Sequence, residues 1–366
     1  MGKQSHKHQL QTAAADPALT FGDYAYLVIE TQYRAILQHL TPVLADTDPE
    51  HLHQMRVGTR RLRTALQIFG QAIKLPKAAR EPQIKALAQV LGQLRDLDVQ
   101  LADLTETYRP NLDATEQALL DRVIRKLRKQ RRQAYKAVKK TLEGKHLRSL
   151  KTAYEKWLTK PQYTAIAQLP LTALLPDLLS PLLAELLLHP GWLIPAHTSA
   201  ATDEECLHDL RKACKHVRYQ TEFFVPFYGE SFQTWIKEIK TLQDSLGKLQ
   251  DAYVLNDLLQ QHLPKKAKMP TLQAQIQKIR TDLFSDWDSI RSQYLTTAYR
   301  QQLHQMLLDS KAAIAPTPAS AQPNEPSPNP ANAKKPHSPT PAIAGVENAS
   351  GKNSRGNDRP TSTTTS

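Results

Sequence analysis

Leu52 to Phe69 reads LHQMRVGTRRLRTALQIF, and Leu207 to Phe224 reads LHDLRKACKHVRYQTEFF. At an offset of 155 residues the two stretches share Leu, His, Arg, Arg and Phe, with near matches at Met/Leu, Arg/Lys and Leu/Val. The same offset, with no gap, lays LGQLRDLDV (Leu91 to Val99) on LGKLQDAYV (Leu246 to Val254). Two patterned blocks held at one spacing mark a duplicated unit. The expected fold is therefore all-α, two pseudo-symmetric antiparallel helical bundles, the first over about 21–160 and the second over about 170–308.

Both stretches carry two stripes at helical spacing. Leu52, Met55, Thr59, Leu62, Leu66 and Phe69 form an apolar one; His53, Arg56, Arg60 and Arg63 form a basic one, centred roughly 110° away at 3.6 residues per turn. The second copy repeats this with His208, Arg211, Lys215 and Arg218 beside Leu207, Leu210, Cys214, Val217 and Phe224. A basic row that flanks the buried edge lines a groove between helices rather than standing free in water. No acidic residue lies between His53 and Arg63. Like charges at i,i+4 repel, so the row calls for an anionic partner.

Outward from these motifs, nearly every segment between Phe21 and Leu308 is amphipathic with helical period, and no alternating run of β-branched residues occurs. Helices are expected near Tyr24 to Leu40, Glu50 to Phe69, Gln83 to Thr107, Thr115 to Leu142 and His146 to Leu158. Further ones follow near Leu171 to Leu187, Thr202 to Phe224, Phe232 to Leu259 and Thr271 to Asp309. Asp113 or Thr115, and Thr202, are candidate N-caps. Residues 1–20 read as a flexible N-terminus. Residues 309–366 read as a disordered tail rich in Pro, Ala, Ser, Asn and Thr, with no Leu or aromatic residue from Lys311 onward.

The chain has 48 basic against 35 acidic residues, a net charge of +13 with histidine neutral. The segment from Lys311 holds six basic and three acidic residues, so +10 belongs to the part expected to fold. Such a surplus points to a polyanion. A third basic run, Arg122 to Lys140, places Arg125, Arg128, Arg132, Lys136 and Lys139 on or near one side of a helix.

Cys206 and Cys214, roughly 12 Å apart along one helix, are too distant for a disulfide and read as reduced thiols. With an N-terminus that lacks an apolar signal-type core, they suggest a cytoplasmic protein. The apolar stretch Leu169 to Pro195 carries Asp177, Glu185 and His189 and is broken by Pro176 and Pro181, so it reads as a buried helix rather than a membrane span.

Enzymatic phosphoryl chemistry would need metal-binding carboxylates, a phosphate-cradling loop or an activated nucleophile. No G-x-x-x-x-G-K-[ST] occurs. The H-x-H pairs His6/His8 and His51/His53 direct their rings to opposite sides of a helix, poor geometry for a metal. Asp96, Asp98 and Asp251 are better placed to orient arginines than to hold an ion. No catalytic residue, metal site or cofactor is expected. Nucleic-acid binding fits the charge, yet no helix-turn-helix, zinc-finger or RNP motif appears and the basic rows carry few aromatics on which to stack bases.

H-x-[ML]-R-V-x-x-R-R-L-R, followed after a repeat by L-H-x-L-R-K-x-x-K-x-x-R-Y-x-x-E-F-F and by an L-G-x-L block behind each, resembles the CHAD family, the conserved histidine α-helical domain. The resemblance spans 21–308. It implies two pseudo-symmetric four-helix bundles that bind inorganic polyphosphate in a basic groove without catalysis. Carried over by position, the ligand-binding residues are His53, Arg56, Arg60, Arg61 and Arg63, then His208, Arg211, Lys212, Lys215 and Arg218. Arg95, Lys248, His216 and, on the third basic helix, Arg125, Arg128, Arg132 and Lys136 are further candidates. His216 departs from the arginine or lysine common there. No E-x-E-x-K signature of a triphosphate-tunnel domain is present, so hydrolysis is not carried over. The expected partner is polyphosphate, with other polyanions at low salt and a protein partner through the tail. The expected location is the cytoplasm, at polyphosphate granules. Non-specific nucleic-acid binding is the main alternative and a polyphosphate-processing enzyme the lesser one.

Overall fold

The computed structural model describes residues 12, 14–16, 18–196, 201–264, 267–284 and 286–311. The sequence-predicted flexible N-terminus falls mostly, and the tail beyond Lys311 entirely, outside the described residues. Among the described residues the fold is all-α, with two isolated backbone bridges and no strand.

The helices are α1 (Phe21–Gln38), α2 (Leu40–Ala45), α3 (Pro49–Ile68), α4 (Glu81–Ala102), α5 (Ala114–Glu143) and α6 (Lys145–Thr159), then α7 (Leu171–Leu187), α8 (Ala201–Thr221), α9 (Glu230–His262), α10 (Pro270–Phe284), α11 (Trp287–Leu295) and α12 (Thr297–Leu308). α3 packs on α1 and α4, and α4 on α5; α8 packs on α7 and α9, and α12 on α7. α3 and α8, the two motif helices, pack on each other. The segments leading into α1 and α7 also pair: Phe21 N–H donates to the Leu169 carbonyl at 2.9 Å, and Leu171 N–H to the Leu19 carbonyl at 3.0 Å.

Helix starts follow side-chain capping. Thr20 accepts from Asp23 N–H, Asp48 from Glu50 N–H ahead of Pro49, and Asp113 from Glu116 N–H. Thr202 lies inside the first turn of α8 rather than at its cap. Two expected helices are interrupted. Thr271 to Asp309 is three helices, with one break between Phe284 and Trp287 and a second at Thr296, which turns extended (ψ 139°) and caps α12 with its hydroxyl in place of continuing α11. Gln83 to Thr107 ends its regular part at Ala102 and widens into a π-turn over Asp103–Tyr108.

One core runs through both repeats. At its centre Phe69 and Phe224, equivalent residues ending the two motifs, lie 5.8 Å apart between ring centroids. Tyr24 packs edge-on to Phe69 and Phe227, and its hydroxyl donates to the Phe223 carbonyl. A smaller core joins α5 to α9 and α10 through Leu120, Val123, Leu255, Leu259 and Leu272. There Glu116, 1% exposed, accepts from the backbone N–H of Thr271 (2.8 Å) and Leu272 (3.2 Å), so a carboxylate of the first repeat caps a helix of the second.

Leu171–Leu193 is long and apolar enough to cross a membrane on composition alone. In the fold Leu171, Leu175, Leu179, Leu183 and Leu186 of α7 are buried in the shared core. Cys206 and Cys214 are free thiols, and burial pushes Cys214 up to about 12.

Because Phe69 is fully buried and touches both repeats, Phe69→Ala should lower the unfolding free energy by about 3–5 kcal/mol. Leu188→Ala, at a side chain 76% exposed, should cost under about 0.5 kcal/mol. Denaturant unfolding checks both, and equal small losses would show that the aromatic cluster does not hold the halves together.

Candidate functional site

The two basic rows meet at the α3–α8 seam. His53, Arg56, Arg60 and Arg63 on α3 are half-buried, as are His208, Arg211, Lys215 and Arg218 on α8. Each row is seated by a glycine of the helix behind it. The Arg56 guanidinium lies against Gly92 of α4, where a Cβ would stand 3.6 Å from Nε. Arg211 lies against Gly247 of α9, where a Cβ would stand 3.4 Å from Nε. A methyl group fits at those distances, but a larger side chain would take the space of the guanidinium. This is the physical content of the two L-G-x-L blocks.

Arg60 and Lys215 are equivalent under the repeat and interact across the seam. Arg60 stacks over the Tyr219 ring at 4.0 Å, and Arg218 over the same ring at 4.4 Å, so one aromatic side chain of α8 carries a cation from each helix. Burial pushes the Lys215 ammonium down from 10.5 to about 8, with Arg60, Arg211 and Arg56 adding to the shift and Asp96 opposing it. Burial likewise lowers Arg60, reinforced by Arg56 and Arg218. Arg60 Nε, Arg211 Nε and His208 Nδ1 are buried without a hydrogen-bond partner. The two guanidinium N–H groups, donors only, leave the seam short of acceptors.

Acidic partners reach the rows from the helix behind them and from Glu222 at the end of the second motif. Arg63 Nε donates to Glu81 at 2.5 Å, Arg56 to Asp96 at 3.3 Å, and Arg61 meets Glu222 at 3.6 Å. Arg218 is held by Glu222 at 2.5 Å and by Gln243 at 3.0 Å. The rows are thus braced at the end near Arg63 and Arg218. Arg60, Arg211 and Lys215 have no acidic side chain within ion-pair distance among the described residues. The expectation of a wholly unpaired row is corrected to this central group.

Burial favours the neutral form of both motif histidines. Burial pushes His53 below its ordinary 6.5, followed by Arg95, while Glu50 opposes. Burial lowers His208 likewise, followed by Lys212 and Arg211. Each offers a neutral imidazole to the seam.

The remaining candidates divide. Arg95 is half-buried and close enough to depress His53, so it belongs with the seam. Lys212 turns outward to Asp209 at 2.5 Å. His216 faces α7, with Nε2 at 3.7 Å from Glu185. Lys248 is exposed on α9. Arg125, Arg128, Arg132 and Lys136 are exposed on α5, which packs on α4 and not on α3 or α8. Asp98, like Asp96, holds an arginine: its Oδ1 accepts from Arg131 at 2.8 Å, and Arg131 also grips Asp46. No group of three or more His, Cys, Asp or Glu able to hold a metal occurs among the described residues.

Gln243 and Glu81 lie outside the motifs, and Tyr219 and Glu222, the Y and E of the second motif, were not among the predicted ligand-binding residues. Tyr219 stands at the position of Thr64 in the first copy, so the repeat gave it no counterpart.

The sequence matches the family model described as CHAD domain over residues 27–260. Comparison with curated proteins gives no match. The chain is similar to the crystal structure of the CHAD domain from the plant Ricinus communis, at 25% identity and a TM-score of 0.49, over 81% of this chain and 94% of that one. It is also similar to PptA from Streptomyces chartreusis, at 16% identity and a TM-score of 0.51, over 78% of this chain and 99% of that one; this second likeness bears on the fold alone. With the family model covering well over half of the chain, and the repeated His–Arg motifs at the seam of an all-α fold, this protein belongs to the CHAD domain family.

Proposed function

We propose that the protein binds inorganic polyphosphate in the α3–α8 seam without catalysing its conversion, in the cytoplasm at polyphosphate granules. The observation that carries this reading is the central group of Arg60, Arg211 and Lys215, half-buried, mutually repelling and, among the described residues, without an acidic side chain within ion-pair distance. A phosphate chain supplies what is missing. Each unit carries an ionised oxygen and further acceptors, and guanidinium forks match them in two-point contacts. One four-residue row spans about 15 Å, so two rows can engage several consecutive phosphates. The aromatic rings beside the basic rows are already taken, Tyr219 by Arg60 and Arg218 and Phe223 by Arg61, and Tyr219 offers no free face to a base.

Replacing Arg56 and Arg211 with Ala should weaken binding of short polyphosphate and reduce the magnitude of the log–log salt slope by roughly one to two. Lys129→Ala with Lys140→Ala, on α5, should do much less. Titration at several salt concentrations checks this, and equal losses from both pairs would mean diffuse charge attraction instead of a seam.

The glycine seats give a charge-neutral version of the same test. Gly92→Leu and Gly247→Leu keep every cation but displace Arg56 and Arg211. Affinity should fall with the fold intact by circular dichroism. Unchanged affinity would show that arginine placement is immaterial.

Binding should also depend on pH. A bound polyanion favours the charged ammonium, so the complex holds Lys215 protonated where the free protein, at about 8, begins to release its proton. Affinity is then full below 8 and falls as pH rises through it, by about tenfold at about pH 9. Lys215→Arg, which stays charged, should flatten this decline. An identical decline in that variant would place the titrating group elsewhere.

A further inference from the structure

Helix α5 carries ten basic and three acidic residues, the most concentrated charge in the chain. Its geometry is the reverse of the seam's. Arg125, Arg128, Lys129, Arg132, Lys136 and Lys140 fall within about 120° of arc, and the buried Leu120, Val123, Leu127 and Val138 lie on the other side of the helix. This row faces water squarely. On that arc every residue between Asp121 and Glu143 is charged, and between Arg122 and Lys140 none is acidic. Asp121 is engaged by Arg109 at 2.9 Å, and Glu143 lies 4.0 Å from Lys139. Arg131, which does find carboxylates in Asp46 and Asp98, sits off the arc. The six cations of the row have no acidic side chain within ion-pair distance among the described residues.

We propose that the outer face of α5 is a second, open docking track for the phosphate polymer, used by chains long enough to occupy it together with the seam. This rests on the seam being a polyphosphate site and adds a dependence on chain length that the seam alone does not give. The row runs about 22 Å from Arg125 to Lys140 with no gap longer than one helical turn, which suits a flexible chain laid along the helix. The arc holds no apolar side chain to enter a bilayer and no free aromatic ring to stack a base. Tyr135, at its edge, is tied down by a 2.7 Å hydrogen bond to the Leu44 carbonyl. A chain anchored in the seam meets α5 at high effective concentration, so exposed contacts that are weak singly add to the whole.

The test uses the full chain and the variant Arg125→Gln, Arg128→Gln, Arg132→Gln, whose positions are solvent-exposed and whose new residues keep good helix propensity. Affinities are measured for a short oligophosphate and for a long polyphosphate at one fixed salt concentration. The short ligand should bind the variant within about twofold of the parent, and the long one should lose about tenfold or more. Undiminished affinity for the long polymer overturns the track, as does loss for duplex DNA in its place, which makes α5 a nucleic-acid surface. The pair Arg56→Ala and Arg211→Ala separates the two readings. If it abolishes short-chain binding while the α5 variant leaves long-chain binding intact, the seam stands and the track falls. If it spares short-chain binding, the seam reading itself fails, whatever α5 does.

Discussion

Two positively charged helix edges do not approach each other unaided, and the α3–α8 contact exists because apolar packing forces it. Phe69 and Phe224 end the two basic motifs, and their rings meet Tyr24, Phe223 and Phe227 in a buried cluster shared by both repeats. Fully burying each such side chain contributes about 1.5–3 kcal/mol, and each aromatic pair about 0.5–1.5 kcal/mol more. This cluster holds the two edges together against the desolvation and like-charge repulsion that lower Lys215. It also fixes the register that sets Arg60 against Tyr219 and the Lys215 charge among Arg56, Arg60 and Arg211.

The distribution of carboxylates follows from the same constraint. Near the aromatic cluster, Glu222 serves Arg61 and Arg218, and Glu81 serves Arg63. Toward the middle of the seam compensation thins to one 3.3 Å contact from Asp96 and then stops. A fully neutralised seam would be more comfortable for the free protein and useless to an anion. Leaving Lys215 with a pKa near 8, and two histidines neutral, limits the charge the empty seam must hold while keeping donors in place.

Much of this was legible in the sequence. Helical periodicity put the basic stripe beside the apolar one rather than opposite it, which is why the rows are half-buried. The gapless repeat lays Arg56 on Arg211 and Gly92 on Gly247, though only the folded chain shows each arginine resting on its glycine. What was not legible depends on helices distant in sequence. The acids that brace the α3 row come from α4 and from Glu222 at the end of the second motif, so the first motif read in isolation looked unpaired. Tyr219 lacked a counterpart in the first copy. His216 sits inside a basic motif, yet one residue on from Lys215 means a turn of about 100°, enough to send it to Glu185 on α7. The break at Thr296 escaped detection because one threonine hydroxyl competing for a backbone N–H leaves the hydrophobic pattern almost unchanged.

The contrast between α3 and α5 shows that basic residues do different work according to the face they occupy. On α3 the row flanks the buried stripe, so its guanidiniums lie on glycine and tyrosine, hold fixed positions and have already lost much of their hydration. An arriving phosphate then meets donors whose ordering was accomplished by folding, which favours affinity and selectivity for the spacing of its oxygens. On α5 the row stands opposite the buried stripe, its side chains remain hydrated, and any contact must order them at the moment of binding. Such a face attracts at long range and is screened by salt within about 8 Å under physiological conditions. A chain that displays both can draw a polyanion in with one surface and hold it with the other, and it is helix phase relative to the core, not composition, that separates the two roles.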